Sequence, residues 1–337
     1  MRRLLICLAS TLILAISSQS FAKTLKIATL SPDGSAWMTM MKQAADEVAS
    51  KTQGRVKIRF YPGGVMGNDA AVMKKIRIGQ LHGAAVSGGA MAKLAPDTQI
   101  YNLPLLFNSY AEVDYTRNKL DAEIEAEFRK AGFVSYGLAE GGFAYLMSKQ
   151  PIRNVEDLRK NKVWVPSNDP ASEAAAQTFN IAPTPLALGD VLAGLQTDLV
   201  NTISSSPIAA IALQWHTQVN YITDLPLLYF YAMMIIDEKA LKSISNEDQA
   251  ILNDSLREAF AKLDTQNRRD NDAAFAALQK QGIQIIKPSE EEAALWEQKT
   301  AESINTFLKK GGISLAAYER IQQTLKEFRQ QQAQHVQ

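Results

Sequence analysis

One cysteine, Cys7, occurs in 337 residues, and it lies within the first 22. Those residues read as a secretory leader. Arg2 and Arg3 make a basic start, Leu4 to Ser17 an apolar run, and Ser20, Phe21 and Ala22 offer small residues at the −3 and −1 positions of a cleavage site. Cleavage there leaves about 315 residues without cysteine, which excludes disulfides, a thiol nucleophile and a thiolate metal site. The apolar run is short for a bilayer span of about 20 residues. No other long apolar run follows, so the expected product is soluble in the periplasm.

An excess of charge is also missing. Without Arg2 and Arg3 there are 34 Lys and Arg against 35 Asp and Glu, which argues against a nucleic-acid or anionic-membrane binder. His82, His216 and His335 are too scattered for a paired metal-ligand motif. No metal and no cofactor is expected. Gly-x-Ser-x-Gly, phosphate-loop and Gly-x-Gly-x-x-Gly patterns do not occur. Ser204 to Ser206 have no His or Lys motif beside them, so ligand contact or solvated loop is favoured over nucleophile, and the chain reads as non-enzymatic.

What is present alternates. Thr24 to Leu30 reads as a buried strand that stops at the turn-rich Ser31 to Ser35, and Met38, Met41, Ala45 and Val48 then fall at helical spacing until Gly54. Val56 to Tyr61, a helix over Val72 to Ile78, and Ala84 to Ser87 complete a strand-helix-strand-helix-strand order, the signature of a mostly parallel sheet. Ser31 and Ser87 close strands on the rim where ligands bind. Ala111 to Ala131 reads as helix, Val134 to Ala139 as strand, and Phe143 to Ser148, after Glu140-Gly141-Gly142, as a strand crossing between domains. A second α/β unit spans roughly Ser148 to Leu228.

Asn246 to Gln281 contains neither Gly nor Pro, has Ser245 as cap, and ends at Gly282. As one helix its 36 residues reach about 54 Å, longer than one small domain. A break at the polar Gln266 to Asp272 is the alternative. Two terminal helices, Glu290 to Lys309 and Ser314 to Arg329, complete the chain.

Asn161 to Asp169 is the stretch that bears on ligand chemistry. Val163 and Val165 alternate with Lys162 and Trp164, and Pro166 closes the strand on a polar loop. Ligands of open α/β sheets collect beyond the carboxyl ends of strands, which places Trp164, Ser167, Asn168 and Asp169 at a reading position. Trp164 beside two valines reads equally as core, and Asp169 equally as the cap of the helix after Pro170.

Several segments together resemble the substrate-binding proteins of tripartite ATP-independent periplasmic (TRAP) transporters, of the dicarboxylate-receptor-like kind. They are Ile27–Ser35, Gln53–Ile58, Pro62–Gly67, Ile76–Leu81, Asn102–Phe107, Pro151–Leu158, Pro185–Val191 and Leu195–Thr197. The resemblance runs through nearly all of the mature chain, and it rests on the order and spacing of these motifs. It implies two α/β domains of the periplasmic-binding-protein kind, joined by crossing strands and a domain-spanning helix, which close on a ligand and dock on a membrane permease. The expected division is a leader over 1–22, a first domain over 23–147 plus 229–270, and a second over 148–228 plus 271–337.

The resemblance also implies an arginine fork for a ligand carboxylate in the strand that matches Lys162–Pro166, and Trp164 stands in its place. A second family arginine aligns with Ala144, and the segment that supplies an asparagine aligns with Val200–Pro207. The implied site is Ser31, Ser87, Ala144, Trp164, Asn168, Asp169, Ser204 and Ser206, with Arg77, Lys149 and Arg153 as the cations that could replace the fork. The expected function is a monomeric solute receptor that delivers a small organic molecule, an organic acid or an aromatic or polar analogue, to the permease. A receptor for a sensor system, or a secreted hydrolase, is the alternative.

Overall fold

The computed structural model describes residues 22–167 and 169–335, without the His335 side chain. Residues 1–21 of the leader and Asn168 lie outside these residues. Strand β1 (Lys23–Thr29) pairs in parallel with β2 (Val56–Tyr61) on one side and β3 (Gly83–Ser87) on the other. Helix α1 (Ala36–Lys51) buries Met38, Met41, Ala44, Ala45 and Val48 against this sheet, is capped by Ser35, and ends where Gln53 and Gly54 turn left-handed. Helix α2 (Asp69–Arg77) starts on Asn68, whose side chain accepts from the Ala71 N–H. After it come β3 and helix α3 (Tyr110–Lys130).

Two long strands hold the lobes together. β4 (Phe133–Ser148) and β8 (Tyr221–Asp237) pair antiparallel along nearly their whole lengths, and with β7 (Thr202–Ser205) they give the strand order β2-β1-β3-β8-β4-β7 with a ninth strand beside β8. The two strands read on either side of Glu140-Gly141-Gly142 are instead one continuous strand with a bulge between them. Glu140 and Gly142 pair with the consecutive Tyr231 and Phe230 of β8, Gly141 is the extra residue, and Gly142 takes a φ of 85° beside it. A Cβ there would come within 2.5 Å of the Asn271 amide.

In the second lobe, helix α4 (Val155–Arg159) is capped by Asn154 and followed by β5 (Trp164–Pro166), helix α5 (Pro170–Thr178) and β6 (Thr184–Leu186). Helix α6 (Val191–Gln196), strand β7 (Thr202–Ser205) and helix α7 (Pro207–Ala212) precede β8. β5 pairs in parallel with β6 and is tied to β7 by a single parallel bridge, Val163 to Thr202.

Helix α8 (Asn246–Lys280) is unbroken over 35 residues, about 52 Å, and packs on α1 in the first lobe, on β4, and on α7 in the second. Its polar stretch is spent on β4 rather than on a break. Asn267 donates to the Glu140 carbonyl (2.5 Å), Arg268 to the Glu140 carboxylate (2.9 to 3.1 Å), and Asn271 to the Gly141 carbonyl (3.1 Å) while accepting from the Ile208 N–H (3.2 Å). Strand β9 (Gln284–Ile286) follows.

Helix α9 (Glu290–Lys309) packs on α5, with Trp296 5.1 Å from Phe179. Helix α10 (Leu315–His335) lies on α3 of the first lobe, although residues 271–337 read from sequence as one group with the second. Ile321 and Leu325 share an apolar cluster with Leu120, Ile124 and Phe128, and Arg329 grips the buried Glu112 carboxylate at 2.7 and 2.9 Å. Among the described residues no helix is long and apolar enough to cross a membrane.

Candidate functional site between the strand ends

In each lobe the chain leaves a central parallel strand toward opposite sides. In the first, β1 has β2 on one side and β3 on the other. In the second, β5 has β6 on one side and β7 on the other. Loops after such a pair of strands diverge and open a crevice at their carboxyl ends. Ser31 and Ser87 end β1 and β3. Ser167 to Asp169 follow β5, and Ser204 to Ser206 end β7. Ser31, Ser87, Asp169, Ser204 and Ser206 thus stand at or just beyond the carboxyl ends of strands where the chain diverges in this way.

Each residue has defined partners. Ser31 is half-buried; its N–H donates to Thr29 Oγ1 (3.1 Å) and its carbonyl accepts from Gly63. Ser87 donates to Asp69 Oδ2 through its N–H (3.3 Å) and its hydroxyl (2.7 Å). Ser204 Oγ, on β7, and Ser206 Oγ, just beyond it, are buried without a hydrogen-bond partner. Ser206 starts α7, yet its side chain does not cap it. Tyr145 pairs with Ser205, so the next step of the register sets Ala144, which is fully buried, across from Ser206.

Trp164 is 6% exposed and stands edge-on to Trp215, with ring centres 5.3 Å apart. Its indole N–H donates to the Leu186 carbonyl at 3.1 Å. The donor is therefore used inside the lobe, and the ring forms the packed wall behind the β5 strand end. Asp169 caps α5, accepting from the N–H groups of Ala171 (3.1 Å) and Ser172 (3.4 Å) and from the Ser172 hydroxyl (2.8 Å). Burial raises its pKa against these hydrogen bonds, and its charge in turn acts on Tyr231 of the first lobe.

The cations are committed elsewhere. Arg117 pairs with Asp264 (2.8 Å) and Asp121 (3.1 Å) and donates to the Leu138 carbonyl, while Arg268 pairs with Asp114 (2.5 Å) and Glu140. Lys149 is held by Asp198 and the Leu195 carbonyl. Arg77 and Arg153 are exposed. His82 Nδ1 accepts from the Lys26 N–H and His216 Nδ1 faces the Ala210 carbonyl, neither near the serines of β7 in any described hydrogen bond. No group of three His, Cys, Asp or Glu able to hold a metal occurs among the described residues. Open grooves of about 460 and 410 Å³ lie apart from both crevices.

Sequence reading passed over Asp69 and Gln99. Asp69 follows a good cap, Asn68, and looks like an ordinary first-turn acid; Gln99 sits in an apolar stretch whose partner, the Gly88 carbonyl, is eleven residues away.

Residues 27–310 match the family model DctP, bacterial extracellular solute-binding protein, family 7. A solute-binding protein of Verminephrobacter eiseniae is 27% identical over 72% of each chain. The sialic acid-binding periplasmic protein SiaP of Vibrio cholerae is 23% identical over 81% of this chain and 86% of its own. Among solved structures, the sugar acid binding protein DctPAm of Advenella mimigardefordensis, in complex with galactonate, superposes with a TM-score of 0.84 at 16% identity, over 91% of this chain and 99% of its own. With the family model covering both crevices and both crossing strands, this chain belongs to the family 7 extracellular solute-binding proteins, the receptors of TRAP transporters.

Proposed function

We propose that the chain is a periplasmic receptor, exported by its leader and acting as a monomer without catalysis, that captures a small organic solute between its lobes and hands it to the membrane permease. Two crevices, one ending β1 and β3 and the other ending β5 and β7, on lobes joined by β4 and β8, carry this reading. The solute bridges them, and the closed population grows because only that state offers both sets of contacts. Ser31, Ser87, Asn168, Asp169, Ser204 and Ser206 line the solute, with Ala144 and Trp164 as the wall behind.

The relatives named for their ligands bind acids, sialic acid and galactonate. In this chain neither Ala144 nor Trp164 can supply a guanidinium fork, and Arg117, Arg268 and Lys149 are tied to carboxylates, so the solute is held differently. The two free hydroxyls of β7 are the clearest contacts. They are buried and unpartnered, a state costing about 1–3 kcal/mol each until a partner arrives.

A thermal-shift screen of the mature chain across organic acids, aromatics, polyols and amines identifies the solute class. For any compound that binds, the Ser204→Ala/Ser206→Ala double variant is expected to weaken Kd at least about tenfold while leaving the ligand-free Tm equal or higher. Unchanged affinity would remove β7 from the site. Turnover of an ester or glycoside supplied alongside the screen, lost in Ser204→Ala, would replace the receptor reading with a hydrolase.

A further inference from the structure

The Ser87–Gly88 turn at the end of β3 is held by two side chains. Asp69 Oδ2 accepts from the Ser87 N–H and hydroxyl, and Gln99 Nε2 donates to the Gly88 carbonyl. Each clamp leaves a second oxygen over. Gln99 is 1% exposed and its Oε1 is buried without a partner. The amide cannot be turned round to hide this, because Oε1 would then face the Gly88 carbonyl. Asp69 Oδ1 accepts nothing among the described residues, and no cation pairs with the carboxylate there. The Asn102 amide lies against Gly88 on the same side as Gln99.

Asp169 acts on Tyr231, whose hydroxyl donates to the carbonyl of Thr98, the residue before Gln99. The buried and half-buried cations of the neighbouring elements are paired, Arg117 and Arg268 with carboxylates and Lys75 with the Met66 carbonyl.

Resting on the receptor reading above, we propose that the solute carries a protonated amine and that Asp69 and Gln99 receive it at the β3 strand end. An ammonium has donors only, which suits one carboxylate oxygen and one amide oxygen, and the carboxylate makes the contact charge-assisted. A carboxylate ligand in the same place would set acceptor against acceptor and like charge against like. Burial holds the Asp69 carboxyl above its usual range in the free protein, against the two Ser87 hydrogen bonds. The incoming cation offsets that cost, so solute affinity and the burden on the empty receptor have one origin.

The test uses four-carbon probes that differ only in their ends: putrescine, 4-aminobutyrate, succinate and butane-1,4-diol, each titrated into the mature chain with Tm and heat of binding as readouts. At least one of the two amines is expected to raise Tm, and Asp69→Asn to weaken its Kd by about a hundredfold or more while leaving the ligand-free Tm equal or higher. If Asp69→Asn does not fold, Gln99→Met supplies the same comparison. A response to succinate or to the diol with none to either amine overturns the amine assignment and leaves the receptor reading standing. An amine response that survives both substitutions also overturns it, since the amine then sits elsewhere. Silence of all four probes and of every compound in the wider screen overturns the receptor reading itself.

Discussion

Truncating Trp164 to Ala removes a ring that is 6% exposed, packed on Trp215 and bonded to the Leu186 carbonyl, so the expected cost is about 3–5 kcal/mol of unfolding free energy. Trp164→Phe keeps most of the packing. The Leu186 carbonyl still accepts from the Ser167 N–H at 3.1 Å, and about 0.5–1.5 kcal/mol is expected. Urea denaturation of the two variants checks both values, and equal costs would mean that the indole N–H, not the ring, holds the wall. The Lys162–Pro166 motif told where this residue sits on its strand. It could not tell that the indole is used within the lobe, because Leu186 and Trp215 arrive from 22 and 51 residues away. Ser204 and Ser206 are the converse case, ordinary loop serines in sequence whose burial without partners only the sheet reveals.

At the scale of an element, the join of α8 to β4 is the part most sensitive to substitution. Glu140 has a side chain with no exposed surface, and Arg268 supplies its charge partner. Arg268→Gln leaves that carboxylate buried and unpaired, with an expected loss of about 3–5 kcal/mol at neutral pH. Burial already raises the Glu140 pKa above its ordinary 4.5, with the Arg268 hydrogen bond opposing. A carboxyl raised on folding binds its proton more tightly in the native state, so its contribution to stability falls as pH rises from about 4.5 through the native pKa. The variant widens that window. Its deficit relative to the parent is therefore expected to shrink on acidification toward pH 4.5, and denaturation midpoints measured from pH 4.5 to 7.5 check the sign. A deficit independent of pH would mean that the cation–π stack of Arg268 on Tyr110 dominates instead. The length of α8 was legible from a run without Gly or Pro. The purpose of its polar middle was not, since Asn267 and Asn271 serve the bulged carbonyls, and Arg268 the Glu140 carboxylate, of a strand about 130 residues earlier.

For the whole molecule, α10 is the strap that returns to the first lobe. Removing residues 315–337 exposes the cluster of Leu120, Ile124 and Phe128 and takes Arg329 from Glu112, so Tm is expected to fall by roughly 5 °C or more, read by calorimetry. A strap belonging to the second lobe would leave the first-lobe hydrogen-exchange pattern unchanged, whereas slowed amides of α3 should be lost first. Sequence alone determined the alternation of strands and helices, the cap at Ser245, and the two-lobed fold with its long helix, because periodicity and capping are local and act within a few residues. The tertiary structure decided which lobe α10 joins, that β4 is one bulged strand, which hydroxyls stay unpaired, and where each arginine finds its carboxylate. Those outcomes depend on groups far apart in the chain that meet only when the sheet closes its ladder, and no local pattern encodes them.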